Sequence, residues 1–377
     1  MTKLKPSNRS DIAMFQALDI LRQVNEREEQ GIDIVRMGAG QPCFGAPQGA
    51  LDYAIEMIKK DPTQGYTQAI GMPSLRERIA EYYDSYYNVT ISPANVVIVG
   101  GSSCGFILDF LAAFDAGDRV AVTTPTYPAY RNILKSLNIE VVEIEARAED
   151  NYQPTLDLLE NCGEKFDGLI INSPSNPSGT MIDDTELKKI CQWCDEQGIV
   201  LISDEAYHGI TYEHKAPTAR QYSENAIVLN TFSKYFAMTG WRMGWTVLPD
   251  NMVDRVKKLA ESLFVSAPTI SQHVAYKVFD HLDELDGYVE SYRKNRDILR
   301  TELPKAGIHN FTNGAGAFYV YADIHHLSND SEQFCIKMLD EACVSTTPGV
   351  DFDLSRGHKG IRTVSYTHLR AHETKPN

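Results

Sequence analysis

The stretch Ala226-Ile-Val-Leu-Asn-Thr231-Phe-Ser-Lys234-Tyr-Phe-Ala-Met-Thr-Gly240-Trp-Arg242-Met-Gly-Trp245-Thr-Val-Leu248 holds two short apolar runs joined by a link that carries a lysine. Residues 226–229 and 245–248 are β-branched and apolar, as buried strands are. Lys234 then lies on a strand-to-strand connection beside packed interior. An amine against apolar surface loses solvation in its charged form, so its pKa falls from roughly 10.4 and the neutral nitrogen can attack a carbonyl. Arg242, beyond a Thr-Gly turn, offers a fixed planar cation for a phosphate or carboxylate. The plain alternative is a surface ion pair, and the flanking sequence has to decide between the two.

Outward from this stretch, residues from 96 onward alternate strand and helix patterns, which predicts parallel strands joined by crossovers. The predicted strands are 96–99, 119–123, 140–144, 168–171, 199–203, 226–230 and 245–248. The predicted helices are 103–114, 129–137, 156–161, 183–197 and 253–263. Before them, residues 10–30 read as an amphipathic helix, 32–36 as a short strand, and 51–60 and 72–87 as helices. After residue 266 the elements become longer and more charged, with helices at 270–281, 285–303 and 332–341 and strands at 316–322 and 360–365. This predicts a large domain over 46–275 and a smaller α+β domain from residues 1–45 and 276–363.

Ligands of such sheets bind beyond the carboxyl ends of the strands, so the residues there are the ones to inspect. Gly100-Gly101-Ser102-Ser103 leads from a strand into a helix and suits an anion. Asn172-Ser-Pro-Ser-Asn176-Pro-Ser-Gly179 is a loop stiffened by two X-Pro units and bearing amides. Asp204-Glu-Ala-Tyr207 puts an acid at the tip of an apolar strand, which is costly without a cation nearby. Met37-Gly-Ala-Gly40-Gln-Pro-Cys43 approaches a dinucleotide fingerprint, but Pro42 and Pro47 forbid the helix that must follow at once.

Acidic residues outnumber basic ones 51 to 36 for a net charge of −15, which disfavours a nucleic-acid partner and leaves room for a local anion site. The seven cysteines are an odd number spread over 377 residues, which fits a reducing compartment rather than a disulfide framework. Cys191-Gln-Trp-Cys194 lies within a helical pattern and reads as buried helix-face thiols. No window approaches the length of a membrane span, and the reading is a cytoplasmic enzyme.

Taken together, Asn-Ser-Pro-x-Asn-Pro-x-Gly, Asp-Glu-x-Tyr and Ser-Lys-x-x-x-x-x-Gly-Trp-Arg-x-Gly-Trp, in this order, resemble the class I/II aminotransferases of pyridoxal-phosphate fold type I, over residues 11–362. The resemblance implies an α/β fold with a mostly parallel central sheet and a transaminase moving an amino group from an L-amino acid to a 2-oxo acid. It implies that Lys234 carries the internal aldimine with pyridoxal 5'-phosphate, that Asp204 pairs with the pyridine nitrogen, and that Asn176 and Tyr207 donate to the phenolic oxygen. The phosphate would rest on Gly101, Ser102, Ser103, Thr231, Ser233 and Arg242, with Tyr66 reaching in from the second subunit of a homodimer. Tyr127 would stack on the ring, and Arg362, with Gly40 and Asn176, would hold the substrate. The side-chain pocket would draw on the N-terminal helix, Ser102, Tyr127 and residues 266–269.

Gln41 and Cys43 stand where the family has Glu and Asp, and Ser178 where it has Thr. Lyases acting at Cα or Cβ of amino acids share these motifs. A different chemistry is also open: Gly101-Ser-Ser103-Cys-Gly105 fits a nucleophile elbow, with Asp204 and His208 or His325 completing a serine hydrolase. Residues 364–377 are expected to be a non-native tail, because 364–374 read like a translated sequencing adapter.

Overall fold

A computed structural model describes residues 4–365. The main sheet is built from strands β2 to β8, once β1 (Val35–Arg36) has been passed: β2 (Val96–Val99), β3 (Arg119–Thr124), β4 (Glu140–Glu145), β5 (Gly168–Asn172), β6 (Val200–Asp204), β7 (Ile227–Thr231) and β8 (Gly244–Val247). Their order is β2-β8-β7-β6-β5-β3-β4. Only β8 runs against its neighbours, because residues 232–243 return the chain directly beside β7. The strands β2, β5, β7 and β8 are buried along their whole length. Such strands, covered on both faces, read as unbroken apolar runs, whereas the edge strand β4 shows the alternating exposure of a half-covered one, and both patterns are legible in the sequence.

Register then does the positioning. Asn172 stands opposite Asp204 across β5 and β6, and Thr231 opposite Gly244 across β7 and β8. The carboxyl ends of three central strands thus finish side by side. Around the sheet lie α1 (Gln16–Glu29), α2 (Gln48–Lys60), α3 (Pro73–Tyr87), α4 (Ser102–Ala113), α5 (Pro128–Ser136), α6 (Leu156–Asn161), α7 (Asp184–Gln197), α8 (Asp250–Leu263), α9 (Thr269–Val278), α10 (Leu282–Glu302) and α11 (Ser331–Ala342). Cys191 and Cys194 are buried on α7, where burial raises both thiols. No helix among the described residues is long and apolar enough to cross a membrane.

A separate apolar cluster joins the chain ends: Ile20, Val24 and Ile34 pack with Ile308, Ala322, Ile324, Leu339 and Ile361. Beside it β9 (Tyr319–Asp323), β11 (Thr347–Pro348) and β12 (Gly360–Val364) form an antiparallel sheet, while β1 pairs in parallel with β10 (Val344–Ser345). The two-residue strands β10 and β11 carry no periodicity and were not anticipated. Val364 pairs with Tyr319, and the Ser365 amide donates to the Phe318 carbonyl at 2.8 Å. The remainder of the expected tail, 366–377, lies outside the described residues.

The N-terminal helix departs from its expected span, beginning at Gln16 rather than at residue 10. Phe15 precedes it and supplies no side-chain cap. The cap comes instead from Asp351, whose carboxylate accepts the amides of Gln16 at 3.2 Å and Ala17 at 3.1 Å. A helix N-terminus needs acceptors for its first amides, and here the acceptor is 335 residues away in sequence. Asp351→Ala should lower the unfolding free energy in urea by about 1–2 kcal/mol and speed hydrogen exchange at Gln16 and Ala17 while the main sheet keeps its protection.

Candidate active site

A cavity of about 580 Å³ opens at the carboxyl ends of β5, β6 and β7. Its polar lining includes Gly40, Ser102, Ser103, Tyr127, Asn176, Asp204, Tyr207, Ser233, Lys234, Arg242 and Arg362, eleven residues singled out from the sequence.

One end is an anion cradle. Gly101 stands before α4 at φ +83°, and no side chain caps that helix. A Cβ at Gly101 would lie 2.6 Å from Nη2 of Arg242, so glycine is required both by the backbone conformation and by the guanidinium. Arg242 itself has a left-handed backbone, and its Nη1 donates to the Thr239 carbonyl at 3.1 Å. Thr231 lies behind this end rather than on it. It is buried, and its hydroxyl is 3.0 Å from both Ser233 Oγ and the Met243 carbonyl, so it supports Ser233 instead of lining the cavity.

The other end is Arg362, on β12. Nη1 donates to Asn176 Oδ1 at 2.9 Å, Nη2 donates to the Gly38 carbonyl at 2.6 Å, and Nε is buried without a hydrogen-bond partner among the described residues. The guanidinium lies 4.7 Å from the ring centres of both Tyr319 and Phe352. Among the described residues neither Arg242 nor Arg362 forms an ion pair with a carboxylate, although the chain carries 51 acidic residues. Two cations lining one cavity, both free of carboxylates among the described residues, are suited to anions that come from outside the chain.

Lys234 and Asp204 lie between these ends. The Lys234 amine donates to the Gly40 carbonyl at 2.6 Å. Burial, with Arg362 and Arg242 nearby, pulls it down to about 8, against the smaller opposing pull of Asp204. Asp204 is buried at the tip of β6, where it accepts the Tyr130 hydroxyl on Oδ2 and the Ala206 amide on Oδ1 at 3.0 Å. Burial nonetheless pushes its carboxyl up to about 6. Tyr127, beside it, is raised to about 12 by burial.

Residues 32–364 match the family model for aminotransferase class I and II. The chain belongs to this family and is an aminotransferase. It is 42% identical over 358 residues to the valine–pyruvate aminotransferase of Mycobacterium tuberculosis, covering 94% of this chain and 92% of that protein. Identity to the (5-formylfuran-3-yl)methyl phosphate transaminase of Methanocaldococcus jannaschii is 35% over 357 residues, with 93% and 92% covered. The structure matches the crystal structure of an aminotransferase from Mycobacterium tuberculosis with a TM-score of 0.94 at 41% identity, covering 97% and 95% of the two chains. It matches the aspartate aminotransferase from Thermus thermophilus with maleate at 0.90 and 26%, covering 97% and 96%.

These names do not favour the lyase alternative, and the geometry removes the hydrolase. Ser103 lines the aminotransferase cavity, but His208 is buried elsewhere, bound to the Tyr87 hydroxyl at 2.7 Å and the Ser173 carbonyl at 2.9 Å. His325 is exposed against Asp323. Neither histidine lines the cavity, so neither serves Ser103 as a base.

Residues 266–269 also stay off this chain's cavity. The Thr269 hydroxyl donates instead to the Gly65 carbonyl at 2.6 Å, beside Tyr66, which is 87% exposed. The sequence reading missed Tyr319 and Tyr130 as neighbours of the site, and quoted Asn172 in its motif without giving it a role. Tyr130 follows Tyr127 by three residues on α5, so helical spacing was a usable signal for it. Asn172 directly follows the predicted strand 168–171 and ends the observed β5, but nothing local marks Tyr319.

In the cofactor-free aminotransferase, competitive labelling with an amine reagent should show Lys234 reactivity rising through a midpoint of about 8. Exposed lysines should titrate at roughly 10.4. Arg362→Gln removes a like charge and should move the Lys234 midpoint upward.

Proposed function

We propose that this aminotransferase binds pyridoxal 5'-phosphate in the cavity and moves the amino group of an apolar L-amino acid to a 2-oxo acid. The observation that carries the reading is the half-buried amine of Lys234 in one cavity with two guanidinium groups that lack carboxylate partners among the described residues.

The residues fit the cofactor. The Gly101 cradle, Ser102, Ser103, Ser233 and Arg242 would hold its phosphate, with Thr231 buttressing Ser233. Asp204 would meet the pyridine nitrogen, and the cation would restore the ionised carboxylate that burial disfavours. Asn176 Oδ1 accepts from Arg362, which leaves Nδ2, with the Tyr207 hydroxyl, as the donors that would serve the phenolic oxygen. Tyr127 would cover the ring. When bound, pyridoxal 5'-phosphate supplies an electron sink for carbanion charge at the substrate α-carbon.

The chain's own residues do the remainder. Arg362 orients the substrate through its carboxylate, with Nε available and the Gly40 backbone alongside. Lys234 Nζ takes the proton from the substrate α-carbon and holds it for delivery to a different carbon, which suits an amine poised near neutral pH. Phe15, Leu18, Leu21, Ile107 and Ile133 form an apolar wall, and the cations on the described lining are Lys234, Arg242 and Arg362, all assigned above. That leaves no described cation for a side-chain carboxylate, so we favour an apolar donor over aspartate. The relative named for valine and pyruvate points the same way.

We further take residues 46–275 as the large domain and 1–45 with 276–363 as the small one, in a cytoplasmic homodimer. Tyr66, exposed and away from its own chain's cavity, would complete the partner's phosphate site. The seven cysteines are all free, as a reducing compartment favours.

Lys234→Ala should abolish turnover while the protein still binds the cofactor non-covalently in equilibrium dialysis. Turnover within about tenfold of the parent would contradict the role, since acid–base catalysis alone contributes roughly 10²–10⁴-fold. An amino-donor panel with pyruvate and 2-oxoglutarate as acceptors should rank valine, leucine and alanine above aspartate. Aspartate as the best donor would exclude the apolar assignment.

A further inference from the structure

Tyr319 is buried on β9, and three contacts fix its position. Its hydroxyl oxygen lies 2.7 Å from that of Tyr207. Its ring covers one face of Arg362 at 4.7 Å, a diagonal pairing made possible because Arg362 stands opposite Tyr321 across β12 and β9. Its phenol tip also occupies the space that a side chain at position 40 would need, since a Cβ on Gly40 would collide with the hydroxyl oxygen. A phenol held by its ring and its tip has little freedom to point elsewhere.

Only one proton can lie between the two phenolic oxygens. If Tyr207 gives its own proton to an acceptor in the cavity, its oxygen must accept from Tyr319; if Tyr207 donates to Tyr319, it has nothing left for the cavity. Apart from Tyr319, no hydrogen-bond partner of the Tyr207 hydroxyl is seen among the described residues. Both phenols are raised by burial, so both are protonated donors at neutral pH. We propose that Tyr319 is a positioning residue: its hydroxyl donates to Tyr207 and thereby directs the Tyr207 proton into the cavity, toward the phenolic oxygen of the bound cofactor. The inference rests on the reading of Tyr207 given above.

The test is a pH titration of the visible absorbance of the cofactor-loaded protein, together with Michaelis constants for the amino donor. Four proteins are compared: the parent, Tyr207→Phe, Tyr319→Phe and the double variant. Losing a donor to the phenolic oxygen should raise the chromophore midpoint in Tyr207→Phe. Tyr319→Phe should raise it in the same direction by roughly 0.5–1 unit, the worth of one hydrogen bond. Its KM should stay within about twofold of the parent, because the ring still covers Arg362. The double variant should match Tyr207→Phe alone, since Tyr319 acts through Tyr207.

A midpoint that moves in Tyr207→Phe but not in Tyr319→Phe would overturn the proposal and leave the Tyr207 reading intact. So would additive shifts in the double variant, or a KM increase in Tyr319→Phe without a midpoint shift. A midpoint unmoved by Tyr207→Phe would remove the reading of Tyr207 itself, and the proposal with it. Phenylalanine keeps the buried ring in both variants, and matching thermal melts would confirm that the fold is retained.

Discussion

A buried carboxylate and a half-buried amine in one cavity, with two guanidinium groups at its ends, set the conditions for everything else in this protein. Asp204 is pushed up by burial and Lys234 is pulled down, so neither holds its full charge easily where the fold places it. Removing such groups from water costs several kcal/mol per ion unless other charges and hydrogen bonds offset it. Part of the offset is internal: the Tyr130 hydroxyl and the Ala206 amide serve Asp204, and the Gly40 carbonyl serves Lys234. The remainder is left for ligands, and an exposed version of the same residues would have neither perturbed groups nor unmatched cations.

The sheet makes this arrangement possible. Parallel strands end in line, and the register that sets Asn172 against Asp204 and Thr231 against Gly244 lines up the loops that follow. Because β8 returns antiparallel, the segment with Ser233, Lys234 and Arg242 stays at that end of the sheet instead of leaving through a crossover. The two halves of the site depend on different parts of the chain. The anion cradle and the amine are built on the main sheet, whereas Arg362 and Tyr319 come from the antiparallel sheet formed near the C-terminus. The site therefore exists only when both sheets are packed together.

Residues 349–353 tie these parts to one another. Asp351 caps α1, which presents Leu18 and Leu21 to the cavity; the neighbouring Phe352 ring lies 4.7 Å from the Arg362 guanidinium; and the Asp351 carbonyl accepts from Arg131 on α5 at 2.7 Å. The apolar wall, the carboxylate-binding arginine and a helix of the main sheet thus share one short anchor. Buried side chains held this way have few alternative rotamers, which is how a binding site is kept in a fixed geometry.

The sequence by itself determined all seven main strands and most helices to within a few residues, because a strand covered on both faces and an amphipathic helix are both written in local composition. It also marked eleven of the residues that line the cavity, most because they sit immediately after strands or in short motifs, and Gly40 and Arg362 only through the family resemblance. Tertiary structure decided the rest. The start of α1 depends on Asp351, the state of Asp204 on Tyr130, and the placement of Arg362 on Tyr319 and Phe352. Thr231, which looked like a ligand contact from its place in the loop, became a buttress once its hydroxyl met Ser233. In each case the deciding partner lies across the fold or across a turn whose side-chain directions composition does not encode. Chemistry that follows a strand end was legible, and chemistry made by two distant surfaces meeting was not.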